Sequence, residues 1–232
     1  MKRKLPLIAA VLLTVSVGAF ASSCPLAPMT AYIANGFTCT IGDRTYSNFS
    51  YAGHGTLGIT AAKVLVTPVE INPSETGFEF SSSWTTLNGA FSDSIIKYLA
   101  TVTGGALIGN AALSLGGASF TGLANIDVVE RLCTSLTDPI CTNPLPTDTG
   151  YLRLEAFLGP NIGTKLSDFI NFPGLQQLFV LKDIALTSSG RGGFAELSLV
   201  KQVAEPAELA LLGSGLLALA YFVRKRFAPR ST

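Results

Sequence analysis

TGFEFSSSW, residues Thr76 to Trp84, places Phe78, Phe80, Ser82 and Trp84 on one side of an extended chain and Gly77, Glu79, Ser81 and Ser83 on the other. A period of two is the pattern of a strand with one face buried. The same period recurs elsewhere. DSIIKYLATV sets Ile96, Tyr98, Ala100 and Val102 together. GYLRLEAFL aligns Leu152, Leu154, Ala156 and Leu158 against Arg153 and Glu155. FAELSLVKQ sets Ala195, Leu197 and Leu199 against Glu196 and Ser198. KVLVTPVEI alternates on both sides of Pro68 but slips in phase there, which predicts an edge strand or a bulge, because proline cannot donate to a ladder.

Turn signals punctuate these runs: Asn72-Pro73, Asn88-Gly89, Gly104-Gly105, Gly116-Gly117 and the Ser189 to Gly193 stretch. SSGRGG between LKDIALT and FAELSLVKQ predicts a terminal hairpin, and Ser167-Asp168 predicts a short capped turn of helix within LSDFINFPG. Many short strands separated by glycine turns predict a mostly β chain folded as an antiparallel β-sandwich, with a jelly roll as one form of it. No repeat of 20–50 residues is evident.

Composition agrees. The 232 residues include 23 Gly and 14 Phe but only one His and two Met. That mix suits strands and tight turns better than surface helices. The formal net charge of +1 conceals a division. Residues 22–203 carry nine basic and thirteen acidic side chains, a net of −4, and the basic excess is terminal. Such a body offers no electrostatic basis for binding nucleic acid.

Both ends read as addresses. Lys2, Arg3 and Lys4 precede an apolar stretch from Leu5 to Phe20, and Ala19 and Ala21 stand at the −3 and −1 positions of a cleavage site. This is the layout of a secretory signal peptide over 1–21, cut after Ala21. At the other end Leu209 to Val223 is apolar and uncharged. As a helix it spans roughly 22 Å, against about 30 Å of hydrocarbon. The stems of Arg224, Lys225 and Arg226 extend that reach, and their charges stop and orient the segment with the body outside the cytoplasm. A C-terminal transmembrane helix is therefore expected.

The order Ala204-Glu205-Pro206, then Ala207 to Gly213, then Arg224-Lys225-Arg226 resembles the PEP-CTERM sorting domain of Gram-negative bacteria. That signal is a Pro-Glu-Pro motif, a short apolar helix with small residues and an Arg-rich tail. The departure is Ala204, where the family usually has Pro. The resemblance covers residues 204–232 and divides the chain into signal peptide (1–21), body (22–203) and sorting segment (204–232). It implies an exosortase as partner, transient residence in the inner membrane, then release to the cell surface or outside, often in association with exopolysaccharide and biofilm.

Four cysteines remain after signal removal: Cys24, Cys39, Cys133 and Cys141. An even count in an exported chain predicts disulfides. Proximity favours Cys24 with Cys39 and Cys133 with Cys141. No zinc-type spacing is present, so no metal is expected.

Candidate chemistry is thin, and neither a cofactor nor an enzymatic activity is expected. His54, in YAGHGTLG, is the only histidine available as a base, and no Gly-x-Ser-x-Gly elbow accompanies it. A glycosidase needs two carboxylates across a cleft. Glu70, Glu75, Glu79, Asp127, Glu130 and Glu155 are available but read as solvated charges. TGGALIGN lacks the Lys-Ser/Thr of a phosphate loop. The leading expectation is a non-enzymatic surface or matrix protein. The alternative is a carbohydrate-binding module or glycan-active enzyme on the same sandwich, for which Trp84, Tyr46, Tyr51 and Tyr98 are the candidate aromatics.

Overall fold

The structure, a computed structural model, describes residues 23–204 apart from 73, 104–106, 134–145, 148–149, 152, 161 and 191. The strands, in chain order, are β1 Ala27–Pro28, β2 Thr38–Ile41, β3 Arg44–Gly55, β4 Leu65–Asn72, β5 Glu75–Leu87, β6 Phe91–Val102, β7 Ile108–Gly116 and β8 Ser119–Thr121. They continue with β9 Ala124–Cys133, β10 Pro146–Thr147, β11 Gly150–Tyr151, β12 Arg153–Gly159, β13 Gly163–Lys165, β14 Ser167–Leu175, β15 Gln177–Ser188 and β16 Phe194–Ala204. One turn of helix, α1 (Met29–Tyr32), and a 3-10 turn at Ala61–Lys63 are the helical pieces among the described residues.

Two antiparallel sheets of seven strands hold nearly all of this. One runs β1-β4-β5-β16-β7-β14, with β8 also on β16. The other runs β13-β12-β9-β15-β6-β3-β2. They are named here the β16 sheet and the β15 sheet. Inside them the pairs β5/β16, β6/β15, β7/β14 and β9/β12 are nested, each within the one before. This is one long antiparallel ribbon folded over itself, with successive pairs falling on alternate sheets. The strand order is that of a jelly roll. β4 and β3 widen the two sheets beyond β5 and β6.

The alternation read from the sequence points into the space between the sheets. Phe78, Phe80 and Trp84 from β5 are fully buried there with Ile96, Tyr98 and Ala100 from β6, Leu154 and Ala156 from β12, and Ala195 and Leu197 from β16. Ser82 departs from the pattern: it is half-buried and donates to Lys63 O at 3.0 Å, where the register against β16 shifts. Tyr32 of α1 packs edge-on against Phe49 and Phe78. Met29 N–H donates to Val64 O at 2.7 Å. One turn of helix thereby closes the side of the sandwich next to β4.

Two local expectations are corrected. LSDFINFPG is not helical; it is edge strand β14, paired with β7. Asp168, expected to cap a helix, accepts instead from Glu155 N–H at 2.9 Å and Phe169 N–H at 3.0 Å. Pro173 is tolerated because β14 is an edge and its register shifts between Asn171 and Leu175. SSGRGG does not close a hairpin either: β15 and β16 lie in different sheets, and the turn carries the chain between them. It is tied to the other crossing turn, Asn88-Gly89, by Asn88 N–H to Gly193 O (3.0 Å) and Gly192 N–H to Asn88 Oδ1 (2.9 Å). Asn88 and Gly89 both have positive φ, 53° and 86°, which explains the Asn-Gly pair.

Pro68 fits the edge expectation. It pairs inward with Phe78, while β1 covers only Leu65 and Val66 on the outer side of β4. Among the described residues no helix is long and apolar enough to cross a membrane. The expected transmembrane helix and signal peptide lie outside the described residues, as do Ala21, Glu205, Pro206, Arg224, Lys225 and Arg226.

Candidate functional site

The first described residues are pinned at once. Ser23 N–H donates to Thr40 O at 2.8 Å, and Thr40 N–H returns a bond to Ser23 Oγ at 2.7 Å. Cys24 is disulfide-bonded to Cys39 of β2, as proximity suggested, with Cα atoms 4.8 Å apart. In the entropic account a closed loop of this length stabilises by about 3 kcal/mol. Cys133 is also disulfide-bonded, and its expected partner Cys141 lies outside the described residues. No described cysteine is free.

The last strand ends beside the same feature. β16 runs between β5 and β7, and its final residue, Ala204, pairs with Thr76. Arg44 links this point to the N-terminal staple. It is the cross-strand partner of Ile41 in β2, its guanidinium is buried, and it donates to Thr76 O and Thr76 Oγ1 (both 3.4 Å) and to Ser74 O. The first and last described residues therefore lie at one end of the sandwich, with Ala204 paired to Thr76 on β5.

The four candidate binding aromatics do not form a surface platform. Trp84, Tyr46 and Tyr98 are buried between the sheets. Trp84 Nε1 donates to Ser94 Oγ at 3.1 Å, and the Tyr46 hydroxyl bonds Thr76 Oγ1 at 2.9 Å. Tyr51 is half-buried and donates to Ile59 O at 2.7 Å. That bond helps fold the glycine-rich loop carrying His54. Gly53 lies so close to Ile59 O, and Gly55 to Phe91 O, that a Cβ there would sit 2.1 and 2.4 Å from those oxygens. The glycines of YAGHGTLG are thus explained by close backbone approach. His54 is exposed, and its cross-strand partner is Asp93.

The charged residues divide by face. On the outer face of the β15 sheet, Asp93, Asp127 and Asp183 stand on β6, β9 and β15, with Glu155 on β12. Asp183 is pushed up to about 6, first by burial and then by the adjacent Asp93, with Arg131 opposing. Asp127 is also raised, by burial and then by Glu155. Arg153 pairs with Glu155. No described group of three or more His, Cys, Asp or Glu is placed to hold a metal ion. Glu75 accepts from Asn72 Nδ2 at 2.8 Å in the β4–β5 turn, while Glu70 is exposed.

Glu130 overturns its expectation as a solvated charge. It faces inward, fully buried, and pairs with equally buried Lys182, its direct cross-strand partner on β15. Burial raises the Glu130 carboxyl and lowers the Lys182 ammonium, each opposed by the other's charge. A signal for this was present in the sequence: Lys182 occupies the same phase as Leu178, Val180, Ile184 and Leu186. Tyr98, also fully buried, is held well above the usual tyrosine range by burial and then by the Glu130 charge.

No family model and no curated protein matches this chain. Among solved structures the chain is similar to TmCBM61 in complex with beta-1,4-galactotriose, at 10% identity and a TM-score of 0.29, over 67% of this chain and 88% of that one. A likeness that distant does not bear on what this chain binds.

Proposed function

We propose that this chain is an exported, non-enzymatic surface or extracellular-matrix protein of a Gram-negative bacterium, held in the inner membrane by its C-terminal segment until an exosortase processes it. One observation carries the reading. The sandwich is closed by contacts that abut both expected processing points: Ser23 and Cys24 on one side, and Ala204 paired with Thr76 on the other. These contacts lie wholly within residues 23–204 and do not depend on the segments expected to be removed. These contacts support a body that persists after delivery, and the sorting-signal resemblance suggests a place in an exopolysaccharide or biofilm matrix. The disulfide at Cys24 supports an oxidising destination.

The test is mass spectrometry of the mature protein from the producing cells. The expected N-terminus is Ser22, and no peptide should extend past about Pro206. An intact tail on the mature extracellular form would sink the proposal. Deleting the exosortase should leave the precursor in the membrane fraction. A glycan array on the mature body then separates polysaccharide binding from a purely architectural role.

A further inference from the structure

Glu130 and Lys182 are cross-strand partners on β9 and β15, with neither side chain exposed and Lys182 Nζ against Glu130 Oε2. Their neighbours along the strands and across the ladder to β6 are apolar. Val128 and Leu132 flank Glu130, Val180 and Ile184 flank Lys182, and Ile96 lies opposite Lys182 on β6. Two groups that react slowly in water are here held in contact, and water is kept out. Well-oriented intramolecular pairs reach effective molarities of about 10⁵–10⁸ M.

We propose that Lys182 and Glu130 condense into an intramolecular isopeptide bond. The Lys182 Nζ lone pair attacks Glu130 Cδ and forms the C–N bond. The Cδ–OH bond breaks, and the hydroxyl leaves with a proton from the amine as one molecule of water. Nothing is oxidised or reduced, and no co-reactant is needed.

The protonation states favour this step. Condensation requires a free amine and a protonated acid, and burial drives the pair toward that state by raising the carboxyl and lowering the ammonium. Transfer of one proton from Lys182 to Glu130 supplies both reactants. Tyr98, buried in the same core, lies in the field of Glu130 and stays protonated. The bond would tie β9 to β15, neighbours in the middle of their sheet. If the proposed C-terminal hold is right, tension enters through β16 and then β15, and the cross-link stops unzipping at residue 182. The bond itself does not depend on that reading.

The full chain is purified folded, then reduced and denatured for intact-mass measurement. The expected mass lies about 18 Da, one water, below that of the reduced chain with the same termini. Trypsin should release residues 98–131 joined to residues 166–191, uncut after Lys182. Lys182→Met should restore the missing mass. If that variant does not fold, the parent mass still decides. A full sequence mass, with a separate tryptic peptide ending at Lys182, overturns the proposal. That outcome leaves the delivery proposal standing, since the latter is read from the termini.

Discussion

The two faces of the β15 sheet both carry charge, under opposite rules. The inner face holds an acid and a base, Glu130 and Lys182, in contact and fully buried, and the guanidinium of Arg44, buried against oxygens of Thr76 and Ser74. The outer face holds three half-buried carboxyl groups, Asp93, Asp127 and Asp183, with Arg131 exposed beside them. Inside, an uncompensated charge would cost several kcal/mol, so Glu130 and Lys182 stand at contact distance and Arg44 is met by oxygens of Thr76 and Ser74. Outside, Asp183 and Asp127 are raised, first by partial burial and then by neighbouring carboxylates. The same strands serve both faces, and residue parity alone decides which rule a side chain obeys.

The largest expected effect tests the inner face. Lys182→Ala leaves the Glu130 carboxyl buried without its partner and should destabilise the sandwich by about 3–5 kcal/mol, read from denaturant unfolding. A cost near that of an ordinary surface substitution, within about 0.5 kcal/mol, would erase the distinction between the faces.

A smaller effect probes the inner polar chain where it reaches the end of β16. Tyr46→Phe removes the hydroxyl that bonds Thr76 Oγ1 at 2.9 Å, next to the Arg44 guanidinium. The expected loss is about 1 kcal/mol, because Arg44 still serves Thr76. Unfolding midpoints of the parent and variant check this. A loss as large as that of Lys182→Ala would mean that Tyr46, and not the Glu130–Lys182 pair, dominates the polar interior.

How much of this was readable in the sequence follows from the same parity. Phe78, Phe80, Trp84, Ile96 and Tyr98 alternate as strand residues must, and their burial was legible. So was the Cys24–Cys39 staple, since closeness in sequence is a fair proxy for closeness in space when the loop is short. The partnership of Glu130 and Lys182 was not, because it depends on β9 and β15 becoming neighbours across 52 residues. Ribbon nesting produces that adjacency, and no local pattern encodes it. SSGRGG shows the same limit: glycines marked a turn correctly, but a turn within a sheet and a turn between sheets use the same residues. LSDFINFPG failed for a different reason. Ser-Asp before an apolar run satisfies helix capping and edge-strand bonding alike, and tertiary pairing with β7 chose the strand.

The smallest effect belongs to the outer face and has a pH signature. In the folded chain Asp183 titrates at about 6, raised from 3.8, so the folded state holds its proton more tightly than the unfolded state does. The resulting stabilisation is complete below about pH 3.8 and is lost as pH rises through about 6. Asp183→Asn removes the ionisation and keeps a donor for Asp93. It should therefore raise stability at pH 7 by about 0.5 kcal/mol, the scale of a like-charge pair on a sheet face. The gain should shrink toward zero as pH falls to about 4, where the parent's own carboxyl is protonated in the fold. Unfolding midpoints of both proteins across that range give the difference directly. A gain that does not vary with pH would place the effect in packing and would remove electrostatic repulsion as the mark of this face.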